Sequence, residues 1–236
     1  VVLILPPEKT GHDAKMRMFN ADGSEGLMAG NALRCIGKYL HDVRGIDRKH
    51  ISVETPGGVK SLRLTTQNGL VKRAEVDMGK ALLSPADVPV LLDGECVLGR
   101  EVTIGSEKYS VTCLSMGNPH CVVFTNDVDG IDLSKIGPEF EYSPLFPERV
   151  NTEFVRVIDE KTLKMRVWER GNGETLACGT GACAAAVAAV LSGYAKIGDE
   201  IRVIVAGGEL FVKYDKDGNV RLSGDAEVCF TGSVEW

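Results

Sequence analysis

Histidine is scarce in this chain, basic runs are missing, and no long apolar stretch occurs. There are four histidines among 236 residues, and none sits in a His-Glu-x-x-His pattern. The zinc-hydrolase helix is therefore excluded. Seven cysteines are present (Cys35, Cys96, Cys113, Cys121, Cys178, Cys183 and Cys229), with no two at Cys-x-x-Cys spacing. Zinc knuckles and thioredoxin-like sites need that spacing, so no metal site is expected. The cysteine count is odd, and the plain reading is a reduced, cytoplasmic chain whose cysteines are mostly small buried hydrophobes. Net charge is −6, with no basic patch in the sequence, so a nucleic-acid partner is not expected. No run of about eighteen uninterrupted apolar residues exists to span a membrane. The first residues, Val1-Val2-Leu3-Ile4-Leu5-Pro6-Pro7, are too short and lack the basic flank of a signal peptide. They read as a strand stopped by a Pro-Pro turn. The chain starts mid-pattern and without Met, so residues upstream are expected to be missing.

What the chain does have is an internal near-copy. Glu25-Gly26-Leu27-Met28-Ala29-Gly30-Asn31-Ala32 matches Glu174-Thr175-Leu176-Ala177-Cys178-Gly179-Thr180-Gly181. Each copy runs into helix-like sequence. The repeat suggests two similar halves, each presenting a helix start. The second copy places a thiol there; the first places a methyl group.

The periodicity predicts a β-rich chain with two prominent helices. Gly30 to Val43 carries apolar residues at helical spacing, through Leu33, Ile36, Gly37, Leu40 and Val43. Gly179 to Ser192 is apolar all round, as a buried helix would be. Asp132 is placed to cap a short helix from Leu133 to Ile136. Strands are expected at Lys15–Phe19, Val59–Thr66, Leu70–Met78, Arg100–Ile104, Lys108–Ser115, His120–Phe124, Asn151–Ile158, Leu163–Glu169, Ile201–Val205, Glu209–Tyr214 and Val220–Ser223. Gln67-Asn68-Gly69 marks a hairpin between two of them. The fold class that follows is α+β: two similar halves, each of antiparallel strands wrapped around one helix. The expected boundary lies near Cys113 to Met116, giving halves 1–114 and 115–226, with a last strand near 227–236 joining the first half.

Cys178 is the most reactive-looking group. A helix N-terminus offers unpaired N–H groups and partial positive charge, which would favour a thiolate and lower the cysteine pKa. The same N–H groups can hold a carboxylate. Arg170, just upstream, is a planar clamp for another. Blander readings stand beside these. Gly179-x-Gly181 alone is also a tight turn, Glu169-Arg170 could be an exposed ion pair, and Asn118 and Asn151 could serve only as turn residues.

Five separated motifs bear on that choice. They are Met18-Phe19-Asn20-Ala21-Asp22-Gly23-Ser24-Glu25; Gly30-Asn31; Gly117-Asn118-Pro119-His120-Cys121-Val122; Asn151-Thr152-Glu153-Phe154-Val155; and Trp168-Glu169-Arg170-Gly171-x-Gly173-Glu174-Thr175-x-Ala177-Cys178-Gly179-Thr180-Gly181. Over essentially the whole chain, and in order, they resemble the diaminopimelate epimerase family. That resemblance implies a cofactor-independent isomerase, with no pyridoxal phosphate and no metal. It implies two pseudo-symmetric half-barrel domains, each wrapped around a central helix, with the site between them, a small-molecule substrate, LL- or meso-diaminopimelate, and a homodimer. It implies two cysteines, one per half, acting as base and acid on opposite faces of the α-carbon.

Carried over residue by residue, the resemblance makes Cys178 one proton handler. Gly179 and Thr180, with Gly30 and Asn31, would hold the α-carboxylate. Asn20, Asn118, Asn151, Glu169 and Arg170 would recognise the distal amino-acid end. His120 and Glu169 stand where the family places groups that assist the thiols. Two departures follow. The first cysteine of the family falls on Ala29, so this chain is expected to be catalytically impaired, whether by an engineered exchange or a natural loss. The family's leading Gly-x-Gly-Asn-Asp-Phe-like segment is absent. Alternative readings are a proline or hydroxyproline racemase-like or phenazine-pathway isomerase-like relative, or a non-catalytic amino-acid-binding relative.

Overall fold

In the computed structural model, which describes every residue except 20–22, 24, 27, 28 and 234–236, strands alternate with three α-helices, the first followed directly by a π-helical turn at Tyr39–Val43. Chain packing gives two compact units, Val1–Asp77 with Ser223–Trp236, and Met78–Leu222. The first unit carries β1 (Val2–Leu5), β2 (Ala14–Phe19), β3 (Glu25–Gly26), α1 (Gly30–Lys38), β4 (His50–Thr55) and β5 (Gly58–Gln67); β6 (Leu70–Lys80) starts in it. Its strand order is β1-β2-β4-β5-β6, with β3 on β2. The second carries β7 (Val97–Ile104), β8 (Glu107–Ser115), β9 (Pro119–Phe124), α2 (Leu133–Glu141), β10 (Asn151–Asp159), β11 (Thr162–Glu169), β12 (Gly173–Thr175), α3 (Gly179–Leu191), β13 (Glu200–Val205), β14 (Gly208–Tyr214) and the start of β15 (Asn219–Gly224). Here the order is β14-β13-β11-β10-β9-β8-β7, with β12 on β11.

The class is α+β as expected, but the strands are not all antiparallel. β2 pairs parallel with β4, β9 with β10, and β11 with β13. Each parallel pair is bridged by one of the three helices: α1, α2 and α3 in turn. Parallel neighbours need a long crossover, usually helical, whereas antiparallel ones need only a turn. The hairpins obey the second rule. Between β5 and β6, Asn68 (φ 54°) and Gly69 (φ 80°) both take left-handed backbone, the pair of positive φ values that a tight type I′ turn requires.

The division at residue 77 differs from the one expected near 114. β7, β8 and β9 form one antiparallel run, Val97↔Cys113 and then Cys113↔Cys121, so a cut at 114 would sever a hairpin. The strand expected near 227–236 does not form over 225–233, where Val228 and Phe230 are exposed; residues 234–236 lie outside the described set. β4 was not among the expected strands, although Ile51 and Val53 alternate inward with period 2.

Helix α3 is enclosed by strands. It packs on β8, β9, β10, β11, β13 and β14, and Ala184 through Ala189 have no exposed surface. Small side chains let strands approach from every side, which explains the absence of an apolar stripe. Helix α2 starts where expected, with the Asp132 carboxylate accepting from the Lys135 N–H. A second apolar cluster underlies it, built on Phe140, whose ring meets Tyr109 at 5.0 Å and Phe154 at 5.6 Å.

Candidate active site

Where each repeat copy enters its helix, the two take the same local structure. Ala29 is the N-cap of α1 (φ −140°, ψ 115°) and Cys178 is the N-cap of α3 (φ −115°, ψ 115°). Leu33 N–H donates to the Ala29 carbonyl at 3.0 Å, and Ala182 N–H to the Cys178 carbonyl at 2.9 Å. At α3 the cap is completed by sulfur: Gly181 N–H donates to Cys178 Sγ at 3.3 Å. A methyl group cannot accept, and α1 has no side-chain cap. Gly30 and Asn31 open α1 as Gly179 and Thr180 open α3; the Asn31 side-chain Oδ1 accepts from Arg34 Nη1 at 2.8 Å. Asn20 lies outside the described residues.

Around Cys178 the second unit gathers a linked set of polar groups. Cys178 Sγ lies 3.4 Å from Thr180 Oγ1, and Asn118 Nδ2 donates to that same hydroxyl at 3.3 Å. Asn118 Oδ1 lies 3.0 Å from His120 Nε2. His120 Nδ1 lies 2.7 Å from Glu153 Oε1, both side chains having no exposed surface. Glu169 accepts from the Thr175 hydroxyl. Asn151 is used at both ends of its amide: Nδ2 donates to the Pro119 carbonyl at 2.8 Å, and Oδ1 accepts from Arg170 N–H at 3.1 Å. It therefore does more than shape a turn, tying β9 to the loop after β11. Arg170 donates Nη1 to the Glu148 carbonyl at 2.9 Å. No ion pair joins Glu169 to Arg170 among the described residues, so the exposed-pair reading does not hold. Glu141, almost fully buried, holds the loop after β11 by accepting from Gly171 N–H at 2.9 Å and from Trp168 Nε1 at 2.7 Å.

The expected thiolate at Cys178 is not what this environment favours. Cys178 is only 6% exposed. Burial, then the negative charges of Glu169 and Glu153, push its thiol up to about 12, against the opposing hydrogen bonds from Thr180 and Gly181. Desolvation outweighs the helix start, and Cys178 rests as a thiol. Burial likewise raises Glu153, against the attraction of His120. Of the cysteines expected to be mostly buried, Cys35 on α1 is exposed, whereas Cys183 on α3 is buried. Glu153 was missed as a site residue, because a lone Glu on an alternating strand reads as solvent-facing; its burial depends on β9 bringing His120 alongside. A surface pocket of about 500 Å³, lined by Tyr109, Lys135, Ile136, Glu139 and Phe154 among others, touches none of these site residues.

Solved structures share the architecture. A probable proline racemase from Agrobacterium radiobacter K84 superposes with TM-score 0.68 at 15% identity, over 98% of this chain and 76% of that one. A hydroxyproline epimerase from Agrobacterium vitis gives 0.70 at 15% identity, over 95% and 71%. At such identity these likenesses establish a fold, the one used by amino-acid racemases and epimerases. Sequence goes further. The family model described as diaminopimelate epimerase matches residues 1–83 and 112–229. The diaminopimelate epimerase of Acetivibrio thermocellus is 51% identical over 237 residues, spanning 100% of this chain and 83% of that protein. That of Methanococcus maripaludis is 47% identical over 236 residues, spanning 100% and 84%. The chain belongs to the diaminopimelate epimerase family.

Proposed function

We propose that this chain has the active-site framework of a cofactor-independent isomerase that interconverts LL- and meso-2,6-diaminopimelate. A proton moves at the α-carbon between two sulfurs, Cys178 being one and position 29 the place of the other. The single observation that carries this reading is the shared N-cap position of Cys178 and Ala29, each ahead of a Gly and a polar residue at its helix start. The α-hydrogen of an amino acid is a very weak acid. Helix N-termini directed at the α-carboxylate stabilise the developing carbanion without an electron sink. Cys178, resting as the thiol, is suited to give a proton; a thiolate at position 29 would take one. His120 and Glu169 assist the thiols. Gly30, Asn31, Gly179 and Thr180 hold the α-carboxylate, while Asn20, Asn118, Asn151, Glu169 and Arg170 hold the distal end. Arg170 supports that role with guanidinium N–H groups beyond Nη1 that bond nothing among the described residues.

Ala29 can neither take nor give a proton, so inversion by the chain as written is impaired. The test is α-carbon deuterium uptake from D2O by both diaminopimelate stereoisomers. We expect little or no inversion; full two-way exchange with inversion by the Ala29 chain would refute the two-sulfur assignment. A thermal-shift comparison of diaminopimelate with hydroxyproline separates the racemase-like alternative, since a ligand that binds only the folded state raises its melting temperature. A cytoplasmic location and a homodimer complete the proposal, the latter to be tested by light scattering.

A further inference from the structure

Five side chains in the second unit form an almost closed circuit around the start of α3. From Cys178 Sγ it runs to Thr180 Oγ1, to Asn118, to the Nε2 edge of His120, and through Nδ1 to Glu153 Oε1. Gly181 closes it. A Cβ at that position would lie 2.6 Å from Glu153 Oε1 and 3.3 Å from Cys178 Sγ, and the Gly181 N–H already bonds the sulfur. The Glu153 carboxyl thus packs on the very turn that carries the thiol. Its second oxygen, Oε2, is buried and bonds nothing among the described residues, so this is not a fully satisfied structural carboxylate.

The direction of the bonds matters. Asn118 gives its Nδ2 hydrogen to Thr180, which leaves Oδ1 facing His120 Nε2. An amide oxygen only accepts, so Nε2 must carry a hydrogen. Thr180, having accepted from Asn118, is free to give its own hydrogen to the sulfur. The run of donors therefore points from His120 at Cys178. Asn118 Oδ1 calls for the hydrogen on Nε2, and Glu153 at the other edge of the ring is compatible with it in two forms: as an acid that donates to Nδ1 of a neutral ring, or as a carboxylate that accepts from Nδ1–H of a doubly protonated ring. One proton shared by Glu153 and His120 keeps the buried pair neutral in sum, which a dry interior favours.

We propose that Glu153 is a positioning residue of this site, holding the Nδ1 edge of His120 so that Nε2–H drives a run of donors through Asn118 and Thr180 onto the Cys178 sulfur. This rests on the epimerase reading of Cys178. The ionisable groups facing Glu153 are His120 from β9, Cys178 from α3, Glu169 from β11, and Cys121, whose own ionisation Glu153 opposes.

Two measurements test it. In the intact chain with nitrogen-15 histidine, His120 Nε2 should be protonated from pH 6 to 9; a bare Nε2 in that range overturns the proposal, and this needs no variant to fold. Glu153→Met keeps the bulk and removes both hydrogen-bonding functions. It should free the ring to mix tautomers and, on an Ala29→Cys background, lower kcat at least tenfold with KM changed less than threefold. Glu153→Gln, which still bonds Nδ1, should stay within threefold of that background. An unchanged His120 signal and kcat in Glu153→Met overturns the proposal. If the Ala29→Cys parent itself neither exchanges nor inverts substrate, the epimerase reading fails instead, and the histidine spectrum still decides the role of Glu153.

Discussion

Treated with iodoacetamide at pH 8, the intact chain should modify Cys178 far more slowly than its exposed cysteines. The magnitude follows from the environment of the sulfur. Its pKa of about 12 stands three units above the ordinary value of 9.0. At pH 8 the thiolate fraction is then about a thousandfold lower than at an ordinary thiol, and the thiolate is the nucleophile. A more basic thiolate is intrinsically faster, by about twentyfold over three units at a Brønsted slope near 0.45. The net expectation is about fiftyfold slower alkylation, before any further slowing from burial. Cys96 and Cys229, both exposed, are internal standards, and peptide mass spectrometry after timed quenching resolves all three. The Cys178 rate should keep rising about tenfold per pH unit from pH 9 to 11. Glu169→Gln removes the larger of the two charge effects and should speed Cys178 while leaving the standards unchanged. Alkylation of Cys178 at pH 8 as fast as Cys96 would refute the argument, because it would mean that the helix start prevails over burial.

Ala29→Cys should raise diaminopimelate inversion by on the order of 10²–10⁴-fold, the range of a positioned acid–base group, read as deuterium incorporation with change of configuration. Gly137→Ala should destabilise the chain by about 1–3 kcal/mol through overpacking: the added methyl would lie 2.2 Å from the Trp168 ring, and calorimetry would show the melting temperature fall. Phe140→Ala should cost about 3–5 kcal/mol, since Phe140 is fully buried between Tyr109 and Phe154; a denaturant midpoint unchanged within error would contradict its place in the core.

Much of this was legible in the sequence because the signals were local. Asn68-Gly69 specified a turn by its own backbone preference, Asp132 specified a cap, and the all-apolar run from Ala184 to Leu191 in α3 specified burial. The repeat at Glu25 and Glu174 pointed to two equivalent helix starts, and the structure places Ala29 and Cys178 at the same cap position. The rest depends on groups far apart in the chain. Parallel pairing is invisible until the helices are seen to be crossovers. Glu153 became a buried partner only because β10 lies beside β9. The direction of the Cys178 shift was misread because a helix start is a local feature, whereas the burial that raises the thiol most, and then the carboxylates of Glu169 and Glu153, come from other strands. Cys35 departs from the burial expected of most cysteines for a similar reason: spacing on α1 does not say which side its neighbours leave uncovered.

The sulfur of Cys178 has two employers. Folding needs an acceptor for the Gly181 amide, and proton transfer needs a titratable atom; one element serves both. Serine there would satisfy the first demand and fail the second, while alanine would fail both. It follows that alanine at position 29 leaves α1 without a side-chain cap, and that a thiol placed there should firm up the start of α1 whether or not any substrate is present.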